Sequence, residues 1–264
     1  MRPILFSCGK FSVLAGPAFA ALSAVFAFFY IRRYREHAEL SVEELWTLMA
    51  YLTAGTFIGS IALYLLLFGG GPGKNIEFML RYHAIQGGTY FGNILGCFLA
   101  AALFARRSGK SLPAIADLLG GASLLALFLM RWGCLQHGCC FGKITDSALA
   151  MTFHIPNFGL RNTLIGLPLH PTQLYSSAGA LLMFAAVHFG VFRRVLKREL
   201  PAGSAFVAAT VLYGIFRFLL EFLRGSDAGM LRPFGLTTSQ VLAAASVGAA
   251  LYLRRAWRHG KPAR

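Results

Sequence analysis

The sequence predicts an all-α polytopic membrane protein, a bundle of seven transmembrane helices with its N-terminus outside and its C-terminus in the cytoplasm. Three observations predict it. Of 264 residues, 56% are hydrophobic and only 13% charged, with a mean hydropathy of +0.60; soluble domains carry about 25% charged residues. Seven stretches are long and apolar enough to cross roughly 30 Å of hydrocarbon as helices. Lysine and arginine are also distributed unevenly between the loops on the two sides.

In order, the spans fall at about 12–31, 46–68, 88–105, 113–136, 172–192, 204–223 and 236–253. The first is long enough to stay in the bilayer, so no cleavable leader is expected. The third is the shortest. The fourth carries Asp117 near its start and Arg131 near its end. Irregular backbone cannot face lipid, so the Gly- and Pro-rich run GGGPG (69–73) belongs at the rim. No repeat, low-complexity tract or long linker divides the chain, and residues 1–264 read as a single transmembrane domain.

Seven spans put the two termini on opposite sides. One side takes the loops 32–45, 106–112 and 193–203 and the tail after 253. These hold Arg32, Arg33 and Arg35; Arg106, Arg107 and Lys110; Arg193, Arg194, Lys197 and Arg198; and Arg254, Arg255, Arg258, Lys261 and Arg264, fifteen basic residues. The other side holds eight: Arg2, Lys10, Lys74, Arg81, Lys143, Arg161, Arg224 and Arg232. The positive-inside rule makes the richer side cytoplasmic. The formal charge of +15 therefore reports topology, and no nucleic-acid partner is expected.

Ionisable groups inside spans are costly and mark either function or a paired structural role. Here they are Asp117, Arg131, Arg217 and Glu221, with Arg224 at a helix end. In YGIFRFLLEFLRG (213–225), Tyr213, Arg217, Glu221 and Arg224 recur at spacings of four, four and three, one stripe on the sixth helix. A guanidinium stays charged and its fork suits phosphate oxygens, so Arg131 and Arg217 together would cradle a lipid phosphate. The structural alternatives are a self-neutralising Arg217–Glu221 pair and arginines that snorkel to the interface.

The segment RWGCLQHGCCFG (131–142) closes the fourth span with Arg131, Cys134, His137, Cys139 and Cys140. Three readings of its cysteines stand side by side. One is a metal site with His137 or His170, against which count the irregular spacing and the adjacent cysteines; neither metal nor other cofactor is expected. A second is a structural disulfide such as Cys134–Cys139, or one involving Cys97, or else buried free thiols. The third is a reactive thiol activated by Arg131 or a histidine. Cys8 gives no signal.

LHPTQLYSS (169–177) opens the fifth helix, with His170 near the N-cap, Pro171 in the first turn and Tyr175 one turn in. QGGTYFGNILG (86–96) supplies small residues for close approach of helices or a lipid chain. His83, just before it, reads as interfacial. The loop 146–162 is long enough for a lid or docking surface.

In their order these segments resemble the prolipoprotein diacylglyceryl transferase family. ADLLGGASLLALFLMRWGCLQHGCCFG is similar to the family's signature helix, which opens with Asp and closes with Arg-x-Gly-Asn-x-x-Asn-Gly-Glu-x-x-Gly; Arg131, Gly133, Gly138 and Gly142 fall on its positions. HPTQLY (170–175) matches His-Pro-Ser/Thr-Gln-Leu-Tyr, and YGIFRFLLEFLRGSD (213–227) matches Tyr-Gly-x-x-Arg-Phe-x-x-Glu-x-x-Arg. The resemblance covers roughly residues 45–253.

It implies transfer of diacylglycerol from phosphatidylglycerol to the lipobox cysteine of an exported preprotein. A thioether forms and glycerol phosphate leaves, in the outer leaflet of the bacterial cytoplasmic membrane. By position, Arg131 and Arg217 would hold the phosphate. Tyr213, Glu221 and Arg224 would orient Arg217 or the lipid, and Gln173, Tyr175, Gly133 and Gly142 would line the site. Cys134, His137 and Cys139 stand where the family has Asn, Asn and Glu, and Phe91 where it has a histidine. A base would then come from His83, His137 or His170. A paralogue that binds lipid without transfer, or uses another acceptor, and a membrane thiol-redox or metal protein are the alternatives.

Overall fold

The computed structural model describes residues 4–8, 11–67, 90–153, 164–224 and 235–259. Among the described residues, a short hairpin, β1 (Ile4–Cys8) and β2 (Phe11–Leu14), precedes seven helices. They are α1 (Ala15–Tyr34), α2 (Val42–Leu67), α3 (Tyr90–Ser108), α4 (Leu112–His137), α5 (Thr172–Leu196), α6 (Ser204–Leu223, its last turn 3-10) and α7 (Thr238–His259). A second two-stranded pairing, β3 (Met151–Thr152) with β4 (Pro168–Leu169), lies between α4 and α5.

All seven expected helices are present, and five (α1, α2, α4, α5 and α6) are long and apolar enough to cross a membrane. α3 is only 19 residues long and ends in Arg106 and Arg107, and α7 ends in a basic turn, so length and composition alone do not single these two out. The hairpin takes Ser12–Leu14 out of the first expected span, and α1 runs on to Tyr34 instead. Period-3.6 reasoning has no way to see two short strands at the edge of an apolar run.

Local signals set the helix ends. Ser41 and Glu44 exchange side-chain-to-backbone hydrogen bonds of 2.8 and 3.1 Å at the start of α2, and Thr237 and Gln240 do the same before α7. Both are capping boxes. Ser111 caps α4, with proline in its first turn. Gly138 ends that helix at φ 69°, the left-handed cap that glycine adopts without strain.

α4 is the central helix: 56% of its apolar window is buried, against 22% for α1 and α2. It packs on α1, α5 and α6, while α2 lies along α3 and α6 along α7. The α2–α3 contact is nearly backbone on backbone. Gly55 and Gly59 of α2 face Gly92 and Gly96 of α3 so closely that a Cβ on Gly96 would lie 2.0 Å from the Gly55 carbonyl oxygen. Two small-xxx-small stripes meet there, the arrangement that brings helices together in lipid. Large apolar side chains such as Phe29, Phe57, Ile58 and Leu66 point outward, as lipid-facing residues do.

α5 carries a π-helical stretch, Ala186–Phe192, that sets His188 between the hydroxyls of Tyr30 (3.1 Å) and Tyr34 (3.4 Å). Nearby, the basic loops converge on one end of the bundle. Lys110 donates to the Glu39 carbonyl and pairs with Glu44 at 3.1 Å. Buried Asp117 accepts from the backbone N–H groups of Gly203, Ala205 and Phe206 at 2.7–3.1 Å and meets His37 at 3.3 Å.

Candidate active site

At the opposite end, three helix termini are laced together by main chain. The segment after α4 lies between the segment before α5 and the one after α6. Gly142 N–H donates to His170 C=O (2.8 Å), His170 N–H to Lys143 C=O (2.9 Å), Lys143 N–H to Leu223 C=O (2.9 Å) and Thr145 N–H to Pro168 C=O (3.0 Å). Gly142 also bridges Arg224. A Cβ there would meet Leu223 O at 2.5 Å and His170 Cβ at 2.6 Å, so only glycine lets the three segments close. Outside this ladder, Phe153 and Leu169 with Phe141, Met151 and Leu164 form a small apolar cap.

The charged stripe on α6 is buried. Arg217 is 6% exposed and Glu221 8%. Arg217 Nη1 donates to the Glu221 carboxylate and Nη2 to Ser239 Oγ of α7 at 3.0 Å. The Arg217–Glu221 pair therefore exists, but it does not account for the local charge, since Arg224 also acts on Arg217. Arg224 is not on the helical stripe: Glu221–Leu223 is 3-10 and Arg224 is extended. Its main chain belongs to the ladder, because three-residue turns and the bridge to Gly142 end the helix first. Arg131, on α4, is 9% exposed. Burial of both span arginines excludes the snorkelling alternative. Tyr213 is buried one turn before Arg217 and within range of its charge.

The cysteine loop completes the site. Cys134, Cys139 and Cys140 are free thiols, all half-buried, with their sulfurs within 4.8 Å of one another. Cys140 has φ 63°, a left-handed backbone that a side-chain-bearing residue adopts only where its surroundings hold it. The restraint comes from the first turn of α5. Gln173 Nε2 donates to the Cys139 carbonyl at 2.7 Å and Thr172 Oγ1 to the Cys140 carbonyl at 2.5 Å. Hydrogen bonds from the Cys134 and Cys139 thiols, and then the charges of Arg131 and Arg224, hold the Cys140 thiol below the ordinary thiol range; the same thiol contacts and burial push Cys139 up. Among the described residues, Cys97, Cys134, Cys139 and Cys140 are free thiols and form no disulfide. Cys97 is remote from the cluster, its thiol beside Thr56 Oγ1 at 2.8 Å on the α2–α3 contact.

The remaining sequence candidates fall as follows. His170 immediately precedes the helix, Pro171 being the N-cap, and its Nδ1 lies 3.3 Å from the Tyr175 hydroxyl. His137 is the last residue of α4. Gln173 is fully buried. Gly133 sits against Phe19 of α1 and supports the packing of α4 without lining the site. Phe91 packs beside the main core. His83, GGGPG and residues 154–162 of the long loop lie outside the described residues. Sequence reasoning missed Ser239 and Thr172. Thr237-x-x-Gln240 does mark the start of α7, but nothing local says that Ser239 meets an arginine.

The fold and its apolar helices define a polytopic helical membrane protein, with arginines, a glutamate and three thiols gathered at one end of the bundle. Residues 3–255 match the family model described as prolipoprotein diacylglyceryl transferase, and the chain belongs to that family. Among its relatives, a phosphatidylglycerol–prolipoprotein diacylglyceryl transferase of Geobacter sulfurreducens is 30% identical over 89% of this chain and 87% of its own. One of the same name from Solidesulfovibrio magneticus is 31% identical over 74% and 71%. Another from Clostridium tetani is 25% identical over 92% of both.

Proposed function

We propose that the protein transfers the diacylglyceryl group of a phosphatidylglycerol-like phospholipid to the lipobox cysteine thiol of an exported preprotein. The work is done by one transmembrane unit of the bacterial cytoplasmic membrane, with its site facing the outer leaflet. Family membership supports the reaction class. The observation that carries the reading is the buried guanidinium of Arg217, whose fork is aimed by Glu221 and by Ser239 of α7 at the end of the bundle where Arg131 and Arg224 act on the cysteine loop. Guanidinium forks suit the oxygens of a phosphodiester that becomes a phosphate monoester.

The acceptor sulfur attacks the glyceryl carbon that bears the phosphate ester. A C–S bond forms, the C–O bond breaks, and the electron pair leaves with glycerol phosphate. Arg131 and Arg217 hold the phosphate oxygens on which charge grows. Glu221 and Ser239 aim the Arg217 fork, and Tyr213 flanks it. Gln173, Tyr175 and His170 line the approach from α5, Gly142 lets the segments close, and His137, His170 or His83 takes the thiol proton. The thirteen described basic residues of the loops and tail on the Asp117 side support placing that end in the cytoplasm.

The test is complementation of a bacterium depleted of its own diacylglyceryl transferase, following lipidation of a reporter lipoprotein. Rescue by the wild type that is lost with Arg131→Ala and Arg217→Ala is expected. A well-expressed, membrane-inserted wild type that binds phospholipid yet lipidates no thiol acceptor would overturn the transferase reading.

A further inference from the structure

Adjacent residues in an extended chain send their side chains to opposite sides. Cys139 and Cys140 do not. The left-handed backbone at Gly138 (φ 69°) and Cys140 (φ 63°) folds the chain back on the end of α4, and Gln173 and Thr172 pin the two intervening carbonyls. As a result all three sulfurs share one point, with Cys134 contributed by the helix itself. Irregular spacing in the sequence argued against a shared ligand set, and this backbone removes that objection.

We infer that Cys134, Cys139 and Cys140 form a three-thiolate zinc site whose open fourth position takes the acceptor's cysteine thiol. The inference rests on the transferase reading above. Zinc–thiolate bonds of about 2.3 Å in a tetrahedron set sulfurs ~3.8 Å apart, inside the 4.8 Å within which all three sulfurs lie here, and sites with three protein ligands keep the fourth position for a substrate or water. A zinc ion with three thiolates carries one net negative charge. Arg131 and Arg224 are the cations that act on Cys140 and offset it. The cluster is half-buried rather than sealed, as a site that must admit a substrate thiol has to be.

The chemistry supplies what Phe91 cannot. A thiol that coordinates zinc is deprotonated outright, so the acceptor needs no strong base. Its proton passes to one of the three candidate histidines, a weak base being enough. The bound sulfur then attacks the glyceryl carbon, forming the C–S bond as the C–O bond breaks and its electron pair leaves with glycerol phosphate. The product thioether is neutral, a weaker ligand than a thiolate, and leaves the metal. No oxidation state changes.

The full-length protein, purified in detergent from cells grown with zinc, is assayed for metal by mass spectrometry. About one zinc per chain is expected, falling at least tenfold in C134S, C139S and C140S but retained in C97S, with helicity followed by circular dichroism. Cobalt is then exchanged into the wild type and titrated with a synthetic peptide bearing one cysteine, and with its serine analogue. Sulfur-to-cobalt charge-transfer bands that grow with the cysteine peptide alone are expected. Folded wild type without zinc, zinc that survives all three substitutions, or cobalt bands indifferent to the cysteine peptide each overturns the inference. Lipid transfer by metal-free protein overturns it too, while leaving the transferase reading intact. Cysteine-dependent cobalt bands in a protein that transfers no lipid would sustain the site and sink that reading instead.

Discussion

Asp117 and Arg217 are both ionisable side chains buried in apolar helices, at opposite ends of one bundle, and their surroundings differ in kind. Asp117 is fully buried and accepts three backbone N–H groups from the start of α6, with His37 alongside. Those donors are the unsatisfied amides of a helix N-terminus, where the macrodipole also favours negative charge. Everything it needs is inside the protein. Arg217 has Glu221 and Ser239, but Arg224 stands near it and Arg131 lies across the cysteine loop. Asp117 is held by amides that the fold itself orients, whereas Arg217 sits among like charges, a setting in which a guanidinium fork suits an anionic ligand.

If this contrast is right, substitutions at the two ends change different quantities. Arg217→Lys, which keeps a cation beside Glu221 but loses the fork, should lower lipid transfer by about 10³-fold, the scale of losing a donor to developing charge, while the unfolding midpoint in detergent changes little; parallel transfer and melting assays would read both. Asp117→Ala should do the reverse. It orphans three buried amides at about 1 kcal/mol or more each, so a loss of about 3 kcal/mol of stability is expected, with near-normal turnover per folded molecule. Equal turnover loss in both variants, once corrected for folded protein, would erase the distinction.

Two smaller effects sharpen it. Gly96→Val forces a side chain onto the Gly55 backbone and should cost about 2 kcal/mol through overpacking, again without altering the chemistry of the molecules that fold. Ser239→Ala removes one hydrogen bond to a charged group, worth about 1.5 kcal/mol. Transfer should fall roughly tenfold, with Ser239→Thr restoring most of it. A Ser239→Ala protein with wild-type transfer would mean that Glu221 alone aims Arg217.

Much of this architecture could be read from the sequence because its physical causes are local. Hydrophobic length sets where helices form, since every backbone polar group in lipid must be satisfied within its own segment. Ser41, Ser111, Thr237 and Gly138 mark helix ends through side chains or glycine within a few residues. The four- and three-residue spacings of 213–224 put Tyr213, Arg217 and Glu221 on one face, although the 3-10 turn then removed Arg224 from it. The role of Asp117 was not legible, because its partners are 80 to 89 positions away. The hairpin at Ile4–Leu14 was hidden by a greasy run that reads equally well as helix.

The sequence by itself determined the class, the number of helices, the charge difference between the two sides and the inventory of reactive groups, all quantities that depend on composition and short-range spacing. Only the tertiary structure decided which charges are balanced, that Ser239 and Thr172 belong to the site, and that three irregularly spaced thiols meet at one point. Those depend on contacts between segments far apart in the chain. Here that means the first turn of α5 gripping the carbonyls of a loop whose left-handed turn no local pattern announces.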